Sequence, residues 1–278
     1  MDIIDRITEN GIKKYLKAPH DIIVYEDISS TNDELKKMAK NGAAEGTVVI
    51  SDHQSGGKGR RGRSFFSPPD SGIYMSLLFR PDEKKPSDIL KLTSYAAVAV
   101  SCAVTDVCGV KTGIKWVNDI YIGDKKICGI LAEAVTDKSG TIGTVVAGIG
   151  INVYEPPVIP DEIKDIVGYI YPGIEHFQDE SFDRNIKADQ DGNINIRNMI
   201  IASVINNLYD HYYSSDDSAV MEQYRQDSIV LGRRVVYGAD LEYTGVAVDI
   251  DSDGALIVED PYGKKTVLKT GEISLRVI

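Results

Sequence analysis

The sequence is poor in the residues that build metal centres, disulfide frameworks and nucleophile pairs. Its 278 residues include four scattered histidines and three cysteines, Cys102, Cys108 and Cys128. None of the cysteines belongs to a C-x-x-C pair or lies near a histidine at zinc spacing. An odd number of separate thiols is typical of a reducing compartment, so we expect a cytoplasmic protein without disulfides.

Basic residues at the amino terminus, long apolar runs and excess positive charge are also missing. Asp2 and Asp5 lie where a secretory signal needs basic residues, and we predict that no apolar run reaches membrane-spanning length. The net charge is -11, whereas non-specific affinity for nucleic acid comes mainly from Lys and Arg contacts with phosphate. We therefore expect no membrane segment and no nucleic-acid partner.

Against this acidic background, residues 55–63 form a local basic stretch with the sequence SGGKGRRGR. It contains four cations, four glycines and no acid. Glycine lets the backbone approach a ligand closely, and Arg and Lys supply charge-assisted donors for phosphate or carboxylate. The stretch predicts an anion-binding loop, and a solvated flexible loop is the alternative.

The same stretch also satisfies the G-x-G-x-x-G pattern between Gly57 and Gly62. A dinucleotide-binding fingerprint must open a helix whose N-terminus receives the pyrophosphate. Here the sequence continues as SFFSPP, with two prolines and no helical period. A nicotinamide or flavin site is therefore not favoured.

Short strands joined by tight turns predict the fold of the first two thirds of the chain. Thr31 and Glu34 form the pattern of a capping box that begins a helix, and a long apolar core helix is predicted from Ser87 to about Val107. Successive hairpins favour antiparallel pairing, so we predict an α+β fold with a mixed, mostly antiparallel sheet and packed helices. The predicted strands are 22–25, 47–51, 72–79, 113–122, 125–133 and 143–153, with hairpin turns at 123–124 and 137–140.

The rest of the chain divides into an acidic segment, two helices and a group of short strands. Residues 154–193 carry little functional information, and helical spacing resumes at about 194–213 and 218–229. From residue 231 the pattern changes to five short strands, which predict a small barrel of about fifty residues. We therefore expect a domain over 1–230 and a second over 231–278.

Five motifs in register resemble those of biotin protein ligases across nearly the whole chain. The resemblance implies a catalytic α+β domain, a C-terminal SH3-like barrel, and biotin, ATP and Mg²⁺ as ligands. It also implies a two-step reaction, in which biotinyl-5'-AMP forms first and a lysine of a biotin carboxyl carrier domain then takes the biotinyl group. The motifs are GKGRRGR at 57–63, KWVND at 115–119, KICGIL at 126–131, GIGIN at 148–152 and GEISLR at 271–276.

The resemblance assigns roles to particular residues. As catalytic residues it implies Arg60, Arg61, Lys126 and Asp119, with Asp119 also the candidate metal ligand. As biotin-binding residues it implies Ser30, Thr31, Asn32, Gln54, Gly57, Arg60, Arg61, Lys126, Gly129, Gly148 and Gly150. As ATP-binding residues it implies Lys58, Arg60, Arg61, Phe65, Lys115, Asn118, Lys126, Asn152 and Arg276.

Several positions depart from the family pattern without removing a functional group. Lys58 stands where the family usually has arginine, Val117 where it has proline, and Phe65 where it often has tryptophan. The cations of the 55–63 loop have no acidic neighbour within the loop. We therefore predict a loop that is mobile without ligand and closes over the intermediate as a lid.

Three other functions are open to a sequence of this kind. Lipoate ligases and octanoyl transferases resemble this fold but lack the arginine-rich loop followed by Lys-Trp-x-Asn-Asp. A biotin-responsive repressor needs a winged-helix domain before the catalytic one, and we expect none because the chain begins too late for it. A non-catalytic biotin sensor stays open. Dimerisation through a sheet edge is implied by the resemblance only.

Overall fold

The twelve strands of the described chain form two sheets. The computed structural model describes residues 5–81, 87–136, 142–172, 195–238, 241–269 and 274–277. The first sheet and the five α-helices of these ranges belong to the part of the chain before residue 230, and the second sheet follows it.

The helices and strands of the first part lie close to their predicted positions. The helices are α1 (Glu9–Lys13), α2 (Thr31–Lys40), α3 (Ser87–Cys108), α4 (Ile196–Tyr213) and α5 (Ser218–Gln226). The strands are β1 (Ile22–Ile28), β2 (Val48–Gln54), β3 (Gly72–Phe79), β4 (Gly113–Lys115), β5 (Asp119–Ile122), β6 (Lys125–Thr136) and β7 (Ile142–Asn152).

The first sheet has the strand order β1-β2-β3-β7-β6-β5-β4. The β1–β2 pair is parallel, and the pairs that follow across the sheet are antiparallel. Short turns such as Gly123-Asp124, where Gly123 has φ 59°, enforce this pairing between consecutive strands. The predicted mixed, mostly antiparallel sheet is confirmed.

Both faces of this sheet are covered by helices. On one face, Leu35 and Ala39 of α2 pack against Val49, Leu78 and Val146. On the other face, α3 and α4 pack on each other and on the sheet in the main core. Because of this sandwich, every residue of the inner strand β3 is buried.

Helix α3 is both long and apolar. Judged by length and composition alone, the stretch Leu90–Cys108 could cross a membrane. The prediction that no apolar run reaches membrane-spanning length is therefore wrong. However, 72% of that stretch is buried inside the structure, with Ala96, Ala97 and Val100 fully enclosed. The predicted core helix is therefore confirmed.

The second sheet is antiparallel, with the order β11-β10-β9-β8-β12. No pairing joins β11 to β12 in the described residues, so a closed barrel stays a prediction. Its strands are β8 (Arg234–Gly238), β9 (Tyr243–Ile250), β10 (Leu256–Glu259), β11 (Lys265–Leu268) and β12 (Ser274–Val277).

Two sequence predictions are corrected by the structure. The predicted strand 113–122 is two strands, because a turn at 116–118 reverses the chain between β4 and β5. The cap of α2 is Ser30, in extended conformation, whose hydroxyl accepts from the Asp33 N–H at 3.4 Å, and the predicted Thr31/Glu34 box is wrong. The predicted turn 137–140 and most of the acidic segment lie outside the described residues.

Candidate active site

A cavity of about 450 Å³ opens on the face of the first sheet that carries α2. Its floor lies over β6 and β7, where Gly129 pairs with Gly150 and Leu131 pairs with Gly148. Side chains alternate along a strand, so these positions share one face, and the missing side chains leave room above the sheet. A Cβ at Gly150 would lie 2.5 Å from the Phe65 ring, and one at Gly148 would overlap the amide of Asn32.

One end of the cavity is lined by neutral hydrogen-bonding groups. With Ser30 as the helix cap, Thr31 begins α2, and both its N–H and its hydroxyl donate to Oε1 of Gln54, at 2.9 and 3.1 Å. The Gln54 amide donates in turn to Ser67 Oγ at 3.1 Å. Buried Ser76 of β3 lies 2.8 Å from the Thr31 hydroxyl. This end is suited to a neutral polar ligand group held by fixed donors and acceptors.

An ion network extends from this end to the surface. The Asn32 amide donates to Glu133 at 2.8 Å, and Lys36 forms ion pairs with Glu133 at 2.8 Å and Asp33 at 3.3 Å. Lys58 of the loop binds the other oxygen of Asp33 at 2.6 Å. Burial alone would raise the pKa of Asp33, but hydrogen bonds from Lys58 and Lys36 outweigh it and lower that pKa.

The opposite end of the cavity is charged. Lys126 Nζ lies 2.6 Å from Asp119 Oδ1, and about a quarter of each side chain is exposed. Arg60 donates to Asn118 Oδ1 at 3.1 Å, and the Asn118 amide donates to the carbonyl of Ile130 at 2.8 Å. These contacts place the cations Lys126 and Arg60 and the carboxylate of Asp119 at the same end of the cavity.

The electrostatics of this end favour an anionic ligand. Burial lowers the pKa of Arg60 and the Arg61 charge adds to that effect, while the Asp119 charge opposes it. Four cations, Arg60, Arg61, Lys115 and Lys126, line this end beside the carboxylate of Asp119, and this excess of positive charge would stabilise a bound anion. Lys115 lines the same end with its Nζ 5.5 Å from the centre of the Tyr121 ring.

The glycine-arginine loop is a tight hairpin in this structure. Lys58 pairs with Ser64 in an isolated bridge, and Gly59 N–H donates to the Arg63 carbonyl at 2.7 Å. Arg61 and Gly62 have φ of 59° and 70°, so the chain reverses there in the left-handed region. Lys58 of the loop forms an ion pair with Asp33 of α2, a contact that the sequence did not indicate. The lid motion stays a prediction.

Most of the predicted site residues line this one cavity, although their contacts with ligands stay predictions. Gly57 supports the loop instead, since a Cβ there would lie 2.7 Å from Ser67 Oγ. The side chain of Arg276 lies outside the described residues. Lining the cavity are Ser30, Thr31, Asn32, Gln54, Lys58, Arg60, Arg61, Phe65, Lys115, Asn118, Asp119, Lys126, Gly129, Gly148 and Gly150.

Asn152 is absent from the lining, and its predicted contact with the nucleotide stays a prediction. Its amide donates to the carbonyls of Gly168 at 3.1 Å and Lys126 at 3.4 Å. The segment around Gly168 runs alongside β6 and exchanges backbone hydrogen bonds with Lys126. Asn152 therefore supports the backbone that carries Lys126.

Several lining residues were missed by sequence reasoning. Tyr121 could have been found, because it follows Asp119 by two positions and so shares its face of β5. Ile166 and Leu241 reach the cavity from distant segments and carry no local pattern. Ser76 and Ser67, which hold Thr31 and Gln54, were also missed.

Comparison with known proteins agrees with this geometry along both parts of the chain. Residues 24–152 match the biotin/lipoate A/B protein ligase family, and residues 230–276 match the biotin protein ligase C-terminal domain. The two matches together span well over half of the chain. The chain belongs to the biotin protein ligase family. The first match contains the loop, the charged hairpin and the glycine floor.

Individual biotin protein ligases match over different lengths. The bifunctional ligase/repressor BirA of Bacillus subtilis is 42% identical over 161 residues, which are 56% of this chain and 47% of that protein. The chain thus spans about half the length of that relative. A biotin–acetyl-CoA-carboxylase ligase of Mycobacterium tuberculosis is 29% identical over 261 residues, covering 90% of this chain and 87% of that protein.

A solved structure extends the similarity to three dimensions. The biotin protein ligase from Aquifex aeolicus in complex with biotin and ATP superposes with a TM-score of 0.73 at 26% identity. The superposition covers 93% of this chain and 99% of that one.

Proposed function

We propose that this chain is an ATP-dependent ligase that activates biotin as biotinyl-5'-AMP and transfers it to a lysine of a biotin carboxyl carrier protein domain. The observation that carries the proposal is the two-ended cavity. Neutral donors and acceptors at Thr31 and Gln54 suit the ureido ring, and Arg60 and Lys126 suit the carboxylate and phosphates. The glycine floor leaves space between the two ends.

In the first step, a carboxylate oxygen of biotin attacks the α-phosphorus of ATP, and pyrophosphate leaves with the electrons of the broken P–O bond. No protein nucleophile is needed, because positioning and charge stabilisation carry phosphate chemistry of this kind. Lys126 and Arg60 would neutralise the carboxylate and the charge that develops on the α-phosphate.

In the second step, the acceptor lysine amine attacks the carbonyl carbon of the mixed anhydride. The C–N bond forms, the C–O bond to phosphate breaks, and AMP leaves. The amine must lose a proton in this step. Asp119 is the one carboxylate among the described lining residues, so we assign it the role of orienting that amine.

The lining residues suit a Mg²⁺ ion that is bound partly by the protein and partly by nucleotide phosphates. No group of three metal-ligating side chains occurs among the described residues, so a cage made only of protein ligands is not available there. Mg²⁺ is commonly held by one or two carboxylates together with substrate phosphates. Asp119 would supply the carboxylate, and the bound ion would neutralise phosphate charge.

We further propose domains at 1–230 and 231–278, a closed SH3-like barrel in the second, and a cytoplasmic location. The match of residues 230–276 to one C-terminal domain supports the boundary. We propose that the protein has no nucleic-acid or membrane partner, which the net charge of -11 and the enclosed α3 support. A homodimer would form through β1, because the backbone of Ile114 in β4, the other edge strand, already pairs with residues 227–229.

The test is transfer of labelled biotin to a purified biotin carboxyl carrier domain in the presence of MgATP. We expect label on the wild-type acceptor and none on an acceptor whose target lysine is replaced by arginine. Competition with lipoate and octanoate separates the related ligases. Transfer of lipoate in preference to biotin, or binding of biotin without any transfer, would contradict the proposal.

A further inference from the structure

The last residue of β4 and the turn that follows it, residues 115–118, are held from outside the first sheet, and this segment is called the 115–118 turn below. The Trp116 indole N–H donates to the carbonyl of Gly254, in the turn between β9 and β10, at 2.9 Å. The Tyr224 hydroxyl of α5 donates to the carbonyl of Val117, also at 2.9 Å. Both hydrogen bonds are shielded from water, since Trp116 and Tyr224 are 7% and 0% exposed.

The acceptor for the indole is itself rigidly placed. Gly254 has φ of 83°, and a Cβ there would lie 2.7 Å from Ser94 Oγ of α3. The Asp251 carboxylate accepts from the N–H groups of Asp253 and Ala255 at 2.9 and 2.8 Å, which fixes the turn around it. The second sheet therefore presents the Gly254 carbonyl from a well-defined position.

Three residues near Trp116 in the chain line the charged end of the cavity. Lys115 precedes Trp116, and Asn118 and Asp119 follow it after the buried Val117. The neutral end is held separately, through the contacts of Gln54 with Thr31 and Ser67. A shift of the 115–118 turn would therefore move the charged groups and leave the neutral end in place.

We propose that the Trp116–Gly254 hydrogen bond is a positioning contact for ATP, through which the second sheet sets the 115–118 turn and so the groups that face the nucleotide. This inference rests on the proposed function for the identity of the nucleotide. Gly254 does not line the cavity and acts through Lys115, Asn118 and Asp119, so it is a positioning residue, whereas Trp116 also lines the cavity. Loss of the contact should weaken ATP binding about three- to tenfold, the range for one buried hydrogen bond.

The chain offers a matched pair of glycines for the test. Gly254→Ala forces the turn away from Ser94 while leaving Trp116 unchanged. Gly263→Ala is the control, because Gly263 has nearly the same φ, 81°, in the same sheet, and no atom lies within 4 Å of the position that an alanine Cβ would take. Trp116→Phe is a second variant that keeps aromatic packing and removes only the N–H donor.

The readouts separate positioning from folding. Trp116 is the only tryptophan of the chain and lines the cavity, so its fluorescence reports ATP binding in the wild type and both glycine variants. Biotin-dependent ATP–pyrophosphate exchange gives the KM for ATP and for biotin in all four proteins. We expect Gly254→Ala and Trp116→Phe to raise the KM for ATP about three- to tenfold, with the KM for biotin within about twofold of wild type.

Two results would overturn the inference. One is a Gly254→Ala protein with the same ATP affinity as Gly263→Ala. The other is a rise of both KM values together, which would mean that the contact only maintains the fold. A wild-type protein that binds ATP but gives no exchange would refute the proposed ligase activity instead, and the fluorescence titration would still decide whether Gly254 positions the nucleotide site.

Discussion

Replacing Lys126 by methionine removes one charge from the cavity and keeps most of the apolar length of the side chain. Lys126 Nζ lies 2.6 Å from Asp119, at the end of the cavity that also holds Arg60. A charged donor directed at developing negative charge contributes about 3 to 4 kcal/mol, which corresponds to a loss of about 10²- to 10³-fold in the rate of adenylate formation.

The same change should affect stability little. When Lys126 is replaced, the Asp119 carboxylate keeps the nearby charge of Arg60, so we expect the loss of the Lys126–Asp119 pair to cost roughly 1 kcal/mol of stability. That amount lowers the melting temperature of a domain of this size by about 2 to 4 °C. The large loss of activity and the small loss of stability should therefore be separable.

The assay is biotin-dependent ATP–pyrophosphate exchange, with thermal unfolding measured on the same samples. Lys125→Met is the matched control, since Lys125 follows the same turn, lies outside the cavity lining and donates to the Asp165 carbonyl at 2.7 Å. An exchange rate for Lys126→Met within about threefold of wild type would refute the assigned role, because one lost charged donor should cost at least tenfold.

Three further predictions concern the glycine floor, the ion network and nucleic acid. Gly148→Ala should displace Asn32 and raise the KM for biotin about tenfold, whereas Gly143→Ala, on the same strand with open space around it, should leave that KM unchanged. Because the folded-state pKa of Asp33 is lowered, its ion pairs stabilise the fold above its ordinary value of 3.8 and lose that effect as pH falls below it. The free energies of unfolding of wild type and Asp33→Asn should thus differ at neutral pH by under about 1 kcal/mol, and should converge as pH falls through the folded-state pKa, which lies below 3.8; a constant difference would contradict this. Gel-shift titrations should detect no sub-micromolar, salt-sensitive binding to duplex DNA with or without biotin, and such binding would disprove the absence of a nucleic-acid partner.

Local patterns predicted the parts of the site that are local in sequence. The 55–63 loop and the charged hairpin each lie within one turn and its flanking strands, and Gly148 and Gly150 share a face through strand alternation. Short turns account for the pairing of β4, β5 and β6. The loop meets these strands only through the long-range pairing of β3 with β7, which the sequence did not predict.

Tertiary contacts decide the features that the sequence did not predict. Asn152 is expected on the same face of β7 as Gly148 and Gly150 by strand alternation. Its side-chain amide instead donates to the carbonyl of Gly168, in a segment beside the end of β7. Asp33 holds Lys58 only because α2 folds back beside the loop. Ile166 reaches the cavity from a segment without a recognisable period. These contacts depend on packing between distant segments, which single-sequence patterns do not encode.

We propose that a single cavity of this protein joins biotin to a nucleotide phosphate. The measurement that tests this is exchange of labelled pyrophosphate into ATP by the purified wild-type protein, with and without biotin. We expect exchange that requires biotin, is not supported by lipoate, and is lost in Lys126→Met but retained in Lys125→Met. Exchange that proceeds equally without biotin, or no exchange by a folded protein that binds both ligands, would contradict it.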